Sequence, residues 1–504
     1  MLFNSFQFLC VFLPIVVGGY WLLARTLPVS LSIAWLAVAS YVFYVSGEHT
    51  YPWLLAVSVV ANFLLGQAIS AAPPDRSGVW LAAGVVGNLG LLGYYKYAVF
   101  VTDQLRWAGA EVPALHVVLP IGISFYTFTQ IAYLVDVRRG ATRERSFVSY
   151  LLFVSYFPHL IAGPILHHGE MLPQFRAPAR DTLRRICSGL IIFAIGLVKK
   201  TVLADPCGAV ATDVFSRAAV SPPGLVTAWV GAFAYAMQIY FDFSGYCDMA
   251  IGASQMLGIK LPINFNSPYK ALSIIDFWRR WHITLSRFLR DYVYIPLGGN
   301  RKGPSRRYVN LLATMVLGGI WHGAGWTFVI WGSLHAAAQG IAHGWNDLGR
   351  RVHLVAIPKL VGWALTFVFV VLAWVPFRAD SLASTLAMWR GMFGGNGFGM
   401  PAVGPLAGIA ERLGLGAENL DALTPSALLT LAVAFGIALA APNSQEILHR
   451  FDIALDTPGY RALGNPSRLT LVHLDWRVAV GAGVLLGVGA RMIGGPSEFL
   501  YFQF

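Results

Sequence analysis

Long runs of uncharged apolar residues constrain this chain more than any other feature. They can be drawn near 6–24, 29–46, 51–72, 79–100 and 117–136, and again near 147–166, 186–204, 225–241, 308–321, 324–344, 358–377, 426–441 and 477–494. A bilayer core about 30 Å thick is crossed by about 20 apolar residues in a helix. Lipid admits only structures that satisfy their own backbone hydrogen bonds. Of the 504 residues, 12% are charged and 56% hydrophobic, whereas a soluble domain carries roughly 25% charged residues. That balance excludes a water-soluble globule and a disordered chain alike. The expected fold is an all-α polytopic membrane protein, one integral-membrane domain over 1–504 with roughly 11–13 transmembrane helices.

Lys and Arg outnumber Asp and Glu by 36 to 24. Arg25 follows the first run, Arg76 the third, and Arg138, Arg139, Arg143 and Arg145 the fifth. Basic residues gather in loops that stay in the cytoplasm. The N-terminus is therefore expected outside and the 138–145 loop inside. The same rule explains the basic excess without nucleic acid, for which no reader motif is present. Cys10, Cys187, Cys207 and Cys247 form no C-x-x-C pair and read as buried free thiols. Met1–Ala24 lacks a basic n-region and an A-x-A site, so it reads as the first membrane helix rather than a cleaved signal. No internal repeat aligns, which argues against a transporter built from inverted halves.

The stretch 242–305 fits no simple span. It is polar, aromatic, rich in Gly and Pro, and basic, yet it lies inside an apolar chain. Irregular backbone at membrane depth is tolerated only where protein shields it or it lines a cavity, so 242–325 is the first place to look for function. Two more hydrophilic stretches, about 391–425 and 443–475, read as surface loops or short amphipathic helices.

Among the 12 histidines, most lie in loops or near the ends of apolar runs. Two occur in Trp-His pairs, Trp281-His282 and Trp321-His322. Wound as one helix, 276–292 places Trp278, Trp281, Leu285, Phe288, Leu289 and Tyr292 on one arc. Arg279, Arg280, Arg287, Arg290, Asp276 and Asp291 fall opposite. His282 lies at the edge of the apolar arc and should point inward, as a bonded core residue or as a functional one.

His322 ends the run 311–321 among Gly318, Gly319, Gly323 and Gly325. Those glycines permit close approach, of helix to helix or of backbone to substrate. A histidine inside a membrane is a functional-site hypothesis by default. The arginines, with Arg301, Lys302, Arg306 and Arg307, are either ordinary cytoplasmic charge or a dock for a phosphorylated donor. Asp242, Ser244 and Asp248 crowd polar groups into an apolar segment, to brace a site or to bind an ion. No H-E-x-x-H, C-x-x-C or G-x-S-x-G occurs, so neither a metal nor a serine-hydrolase elbow is expected.

These stretches carry a resemblance. They are MLFNSFQFL at the start, PIGISFYTFTQIAYLVDVRRG at 120–140, YFPHLIAGPIL at 156–166 and YFDFSGYCDMAIG at 240–252. INFNSPYKALSIIDFWRRWHITLSRFLRDYVYIPLGGNRKG at 263–303, GGIWHG at 318–323 and FLYFQF at 499–504 complete the set. With them the chain resembles the membrane-bound O-acyltransferase (MBOAT) family, in its bacterial, alginate-acetylating branch. The resemblance implies a helical bundle with re-entrant segments, a central tunnel and a core catalytic region at about 240–345. It implies His322 as the essential catalytic residue and puts His282 at the position of its histidine or asparagine partner.

Trp278, Trp281, Trp321, Asp242, Ser244 and Asp248 are expected to support that site. Acetyl-CoA is the expected donor substrate, with no permanently bound cofactor, its phosphates near Arg279, Arg280, Arg287 and Arg290. The expected setting is a bacterial inner membrane with the N-terminus in the periplasm. The acceptor is expected to be an exported polysaccharide, reached directly or through a periplasmic acetyltransferase partner. Peptidoglycan, teichoic acid or a lipid as acceptor stays open, as does a transporter without chemistry.

Overall fold

The computed structural model describes residues 1–177, 181–352, 357–403, 407–408, 412, 416–455, 475–494 and 500. The first main helices are α1 (Phe8–Thr26), α2 (Val29–Val45), α3 (Pro52–Ala71), α4 (Pro74–Trp107), α5 (Ile123–Arg138), α6 (Phe147–Ser155), α7 (His168–Arg176) and α8 (Thr182–Arg217). Then follow α9 (Leu225–Met256), α10 (Ile274–Trp278), α11 (Ile283–Leu289), α12 (Pro304–His322) and α13 (Trp326–Val352). The last are α14 (Lys359–Arg378), α15 (Leu382–Met392), α16 (Pro425–Ala440), α17 (Ser444–Ile447) and α18 (Trp476–Arg491). Two-residue parallel strand pairs, Leu261–Pro262 with Ala454–Leu455 and Met400–Pro401 with Ala417–Glu418, only tie loops together.

Among the described residues five helices, α1, α3, α4, α8 and α14, are long and apolar enough to cross a membrane, and α2 and α16 are apolar but shorter. Their outer faces carry Leu22, Val38, Leu64, Val79, Val86, Leu365 and Leu429, each at least 60% exposed. In water such a belt would drive aggregation, while against acyl chains it costs nothing. All four cysteines are free; Cys207 and Cys247 are buried as expected, but Cys10 is exposed on α1.

The centre of the bundle is the crossing of α8 and α9. A Cβ on Gly189 would meet Gly252 O at 2.6 Å, and one on Gly245 would meet Gly196 O at 2.8 Å. Glycines seven positions apart on both helices thus bring two antiparallel backbones into contact, the small-residue packing that membrane helices use. Gly245→Val is expected to destabilise the fold by about 3 kcal/mol, because the clashing atom is backbone. Gly18→Val, with nothing within 4 Å, is the control. Thermal unfolding of both variants in detergent, with their yield in the membrane fraction, checks this.

Three expected helix extents change here. First, the span expected at 225–241 does not stop there: α9 runs unbroken to Met256. Its carboxylates do not break it because α8 supplies buried counter-charges, Lys199 to Asp248 at 2.6 Å and Lys200 to Asp242 at 2.5 Å. Second, 147–166 is not one helix. Pro158, Gly163 and Pro164 interrupt it, and Tyr156–Leu166 is a buried run of turns and irregular backbone, shielded by protein as membrane depth requires.

Third, 276–292 is not one helix either. Asn266 N–H donates to Arg280 O at 2.9 Å and Ile283 N–H to Asn264 O at 3.0 Å. The 264–266 segment thereby takes up backbone groups that a continuous helix would have used. The chain breaks between α10 and α11, with His282 in the left-handed region at φ 43° and ψ 55°.

The hydrophilic stretch 443–475 is only partly surface. Asn443, Ser444 and Gln445 are buried, and the last two reach Asp248 at 2.6 and 2.9 Å. Residues 456–474 of that stretch, and most of the FLYFQF segment, lie outside the described residues.

Candidate active site

His322 is the last residue of α12 and His282 precedes the first turn of α11, both buried. Forty residues apart in sequence, their rings come to 6.3 Å between centroids at an interplanar angle of 59°. Of the glycines around His322, Gly319 serves helix packing. A Cβ on Gly319 would strike Phe328 O at 2.3 Å and one on Gly332 would strike Met315 O at 2.5 Å, so α12 and α13 touch backbone to backbone. Trp331 and Phe377 stand edge-on to the His322 ring at 5.2 and 5.1 Å, which limits its rotation.

The tautomer of His282 follows from its neighbours. Thr284 N–H, which can only donate, lies 3.2 Å from Asn264 Oδ1, and Thr284 Oγ1 lies 2.9 Å from the same atom. That atom is therefore the amide oxygen, consistent with Asn264 Nδ2 facing Cys247 Sγ at 3.3 Å. His282 Nδ1 approaches the same oxygen at 3.1 Å and must carry the hydrogen. The neutral ring then presents Nε2 as an acceptor. It can take a proton or a hydrogen bond from a hydroxyl, but it cannot donate to an oxyanion unless it is first protonated.

His322 lines two cavities. The outer one is walled by residues 119–125 together with Lys96, Ile161 and Trp321. Glu48 pins that wall by accepting Ile121 N–H at 2.8 Å. The inner one, a narrow space, is walled by Trp281, Trp331, Trp374, Phe377 and Leu500.

A third space, an open cleft, carries Arg279, Arg290, Asn300, Gln339 and His343 over Trp278, Leu289 and Met315. Met315 precedes His322 by seven positions on α12, a rise of about 10 Å. Between cleft and inner cavity the Trp278 and Trp331 rings meet at 5.8 Å, with His335 packed on both at 5.2 and 4.9 Å. The expected central tunnel is thus seen as separate cavities divided by an aromatic partition.

The cleft and the outer cavity lie towards opposite ends of the bundle. Tyr292 OH donates to Asp136 Oδ2 at 2.6 Å and Arg139 sits 5.5 Å over the Tyr292 ring, so the cationic segment shares an end with the 138–145 loop. Residues 119–125 are at the other end of α5, about 24 Å away along sixteen residues.

The four arginines divide. Arg279 and Arg290 are exposed and line the cleft. Arg280 is tied to Asp276 at 2.9 Å, and Arg287 to Glu170 at 2.6 Å. Arg290 is also partly neutralised, by Asp291 at 2.7 Å.

The expected supporting residues take distinct places. Trp278 lines the cleft and donates Nε1–H to His335 Nδ1 at 3.2 Å. Trp281 lines the inner cavity, and Trp321 the outer one, stacked on Phe128 at 5.2 Å. Asp242 accepts Leu500 N–H at 3.1 Å, which holds Leu500 in the inner wall. With Lys199 and Lys200 against them, Asp242 and Asp248 brace the bundle instead of offering a site to a free ion. Ser244 is buried and its hydroxyl has no hydrogen-bond partner among the described residues.

Asn264, Thr284, Lys96, Lys199, Lys200 and His335 went unread in the sequence. A lone lysine inside the apolar run 79–100 was a readable signal for Lys96. Lys199 and Lys200 looked like the basic end of a span. Asn264 gave no signal, because its contact with His282 exists only through the loop that joins them.

A helical membrane protein with two buried imidazoles set between cavities directed to its two ends has the layout that a membrane-embedded group-transfer enzyme requires. Residues 123–385 match the membrane-bound O-acyltransferase (MBOAT) family, and the chain belongs to it: it is an O-acyltransferase. A peptidoglycan O-acetyltransferase of Helicobacter pylori is 40% identical over 100% of this chain and 98% of its own. A probable alginate O-acetylase AlgI of Pseudomonas putida is 40% identical, with both chains covered in full. A teichoic acid D-alanyltransferase of Streptococcus thermophilus is 28% identical over 51% of this chain and 68% of its own. The family match includes both Trp-His pairs.

Proposed function

We propose that this enzyme carries acetyl from cytoplasmic acetyl-CoA to a hydroxyl of an exported, alginate-like polysaccharide. The chain would lie in a bacterial inner membrane with its N-terminus in the periplasm, passing acetyl to the polymer directly or through a periplasmic acetyltransferase partner. The observation that carries this reading is the position of His322, on the wall of two cavities and facing an imidazole of assigned tautomer. A likeness of 40% over the full chain to a probable alginate O-acetylase supports the acceptor class. Peptidoglycan is the second reading, favoured by an equal identity to a peptidoglycan O-acetyltransferase.

In this mechanism His322 takes the proton of the acceptor hydroxyl as its oxygen attacks the acetyl carbonyl carbon. The C–S bond then breaks, and the departing CoA thiolate takes the proton from His322. A general base of this kind contributes about 10²–10⁴-fold. His282, held by Asn264, accepts a hydrogen bond at Nε2 and orients the reacting hydroxyl or the His322 ring. Arg279 and Arg290 hold the donor's phosphates, and the Trp278–Trp331 partition parts to admit its thioester arm.

The test is transfer of labelled acetyl from acetyl-CoA by the purified protein in nanodiscs, supplied with oligouronate or with peptidoglycan fragments. Release of CoA thiol reports donor chemistry independently of the acceptor. The Arg279→Gln/Arg290→Gln double variant is expected to raise KM for acetyl-CoA about tenfold or more, with kcat little changed. An unchanged KM would place the donor elsewhere.

A further inference from the structure

Lys96 lies within α4, in a five-residue π-helical segment, Gly93–Tyr97, a distortion frequent at functional sites. Its Nζ donates to Trp321 O at 2.5 Å and to His322 O at 3.0 Å, while Tyr97 OH donates to Ile320 O at 2.7 Å. These carbonyls end α12 and have no N–H partner within their own helix. Two of the three ammonium hydrogens are thus spent on capping. The third faces Ser124 Oγ at 3.5 Å, the outer limit of a hydrogen bond.

Capping alone does not call for a charge, since neutral Tyr97 does the same for the carbonyl before. The end of a helix supplies only about half a negative charge, and among the described residues no carboxylate pairs with Lys96. Its surroundings are the apolar Leu119, Ile121, Phe125 and Ile161. Holding a positive charge in such a wall is expensive, and an ionisable side chain placed there marks a site. Lys96, Ser124 and His322 line one cavity, at the end of the bundle away from the 138–145 loop.

We propose that the outer cavity is a seat for an anionic acceptor, a sugar bearing a carboxylate. The carboxylate takes the third N–H of Lys96 and the Ser124 hydroxyl, and a neighbouring sugar hydroxyl is thereby presented to His322. This deepens the acyl-transfer reading above and rests on it. It makes acceptor choice a matter of charge, and it applies equally to a uronic acid and to a muramic acid, whose lactyl group also ends in a carboxylate.

The experiment gives the full-length protein in nanodiscs labelled acetyl-CoA and one of three acceptors. They are an oligouronate, a muramic-acid glycan with free carboxylates, and a neutral glucan of equal length. The wild type is expected to use at least one anionic glycan about tenfold or more better, in kcat/KM, than the neutral one; which of the two it uses identifies the source. Lys96→Gln, which can still cap the carbonyls, should erase that preference mainly through KM, and Lys96→Arg should retain it. Ser124→Ala, expected to narrow the preference, is the second variant should Lys96→Gln fail to accumulate.

Equal use of charged and neutral glycans overturns the seat, as does a preference that survives Lys96→Gln. Transfer to no glycan, with CoA thiol still released, overturns it too and leaves Lys96 a helix cap. Absence of thiol release from the wild type is a different failure, that of the acyl-transfer reading itself.

Discussion

His322→Ala is expected to lose acetyl transfer by at least about 10²–10⁴-fold while the protein remains in the membrane at normal abundance. The ring is buried, yet the backbone that carries it is held from outside by Lys96 and Tyr97, and those bonds do not involve the imidazole. The substitution removes ring contacts with His282, Trp321, Trp331 and Phe377, among others, and an imidazole that reaches both the outer and the inner cavity. His322→Gln preserves much of the volume and separates packing from proton transfer, and it should be as inactive as the alanine variant. The measurement is the initial rate of labelled acetyl transfer, normalised to folded protein. A rate close to wild type in either variant would remove the imidazole from the chemistry.

His282→Asn is the second substitution with a large expected effect, and its two consequences run in opposite directions. His282 occupies the left-handed region, which costs an ordinary residue about 1–2 kcal/mol and which asparagine visits far more readily. Backbone strain of this sort is kept where the surroundings over-determine it, and such places cluster at active sites. The asparagine variant should therefore melt at the same temperature as wild type or higher. His282→Ala, which has neither ring nor left-handed tolerance, should melt lower. Transfer should fall about 10²-fold or more in both, because Asn264 loses the imidazole it orients. Parallel thermal unfolding and rate measurements on the two variants check the split. A loss of activity that tracks stability across the pair would show that the ring serves only packing.

Part of this site was legible from residue pattern. The two Trp-His pairs marked the imidazoles that meet, because histidine is scarce inside apolar runs and its presence there needs a reason. The inward side of His282 was also readable, although the helix used to find it does not exist. The apolar arc holds because Trp278, Trp281, Leu285, Phe288 and Leu289 are buried, whatever the backbone between them does. The arginines show the opposite case. Four basic residues at one end look alike in sequence, and only their neighbours distinguish Arg279, which lines the cleft, from Arg287, which faces Glu170. Asp242 and Asp248 suggested a break in a membrane helix, since the lysines that neutralise them lie more than forty residues earlier.

Apolar runs of bilayer length, punctuated by basic loops, suffice to dictate a helical membrane protein, because lipid leaves an unpaired backbone nowhere to bond. They also suffice to place the catalytic candidates, since a polar side chain in such a run survives only for a reason. Tertiary structure alone decided that His282 and His322 converge, that Asn264 sets which nitrogen carries the proton, and that Lys96 faces the same cavity as His322. Those facts depend on contacts across tens to hundreds of residues, and pattern along a chain records burial but not the partner.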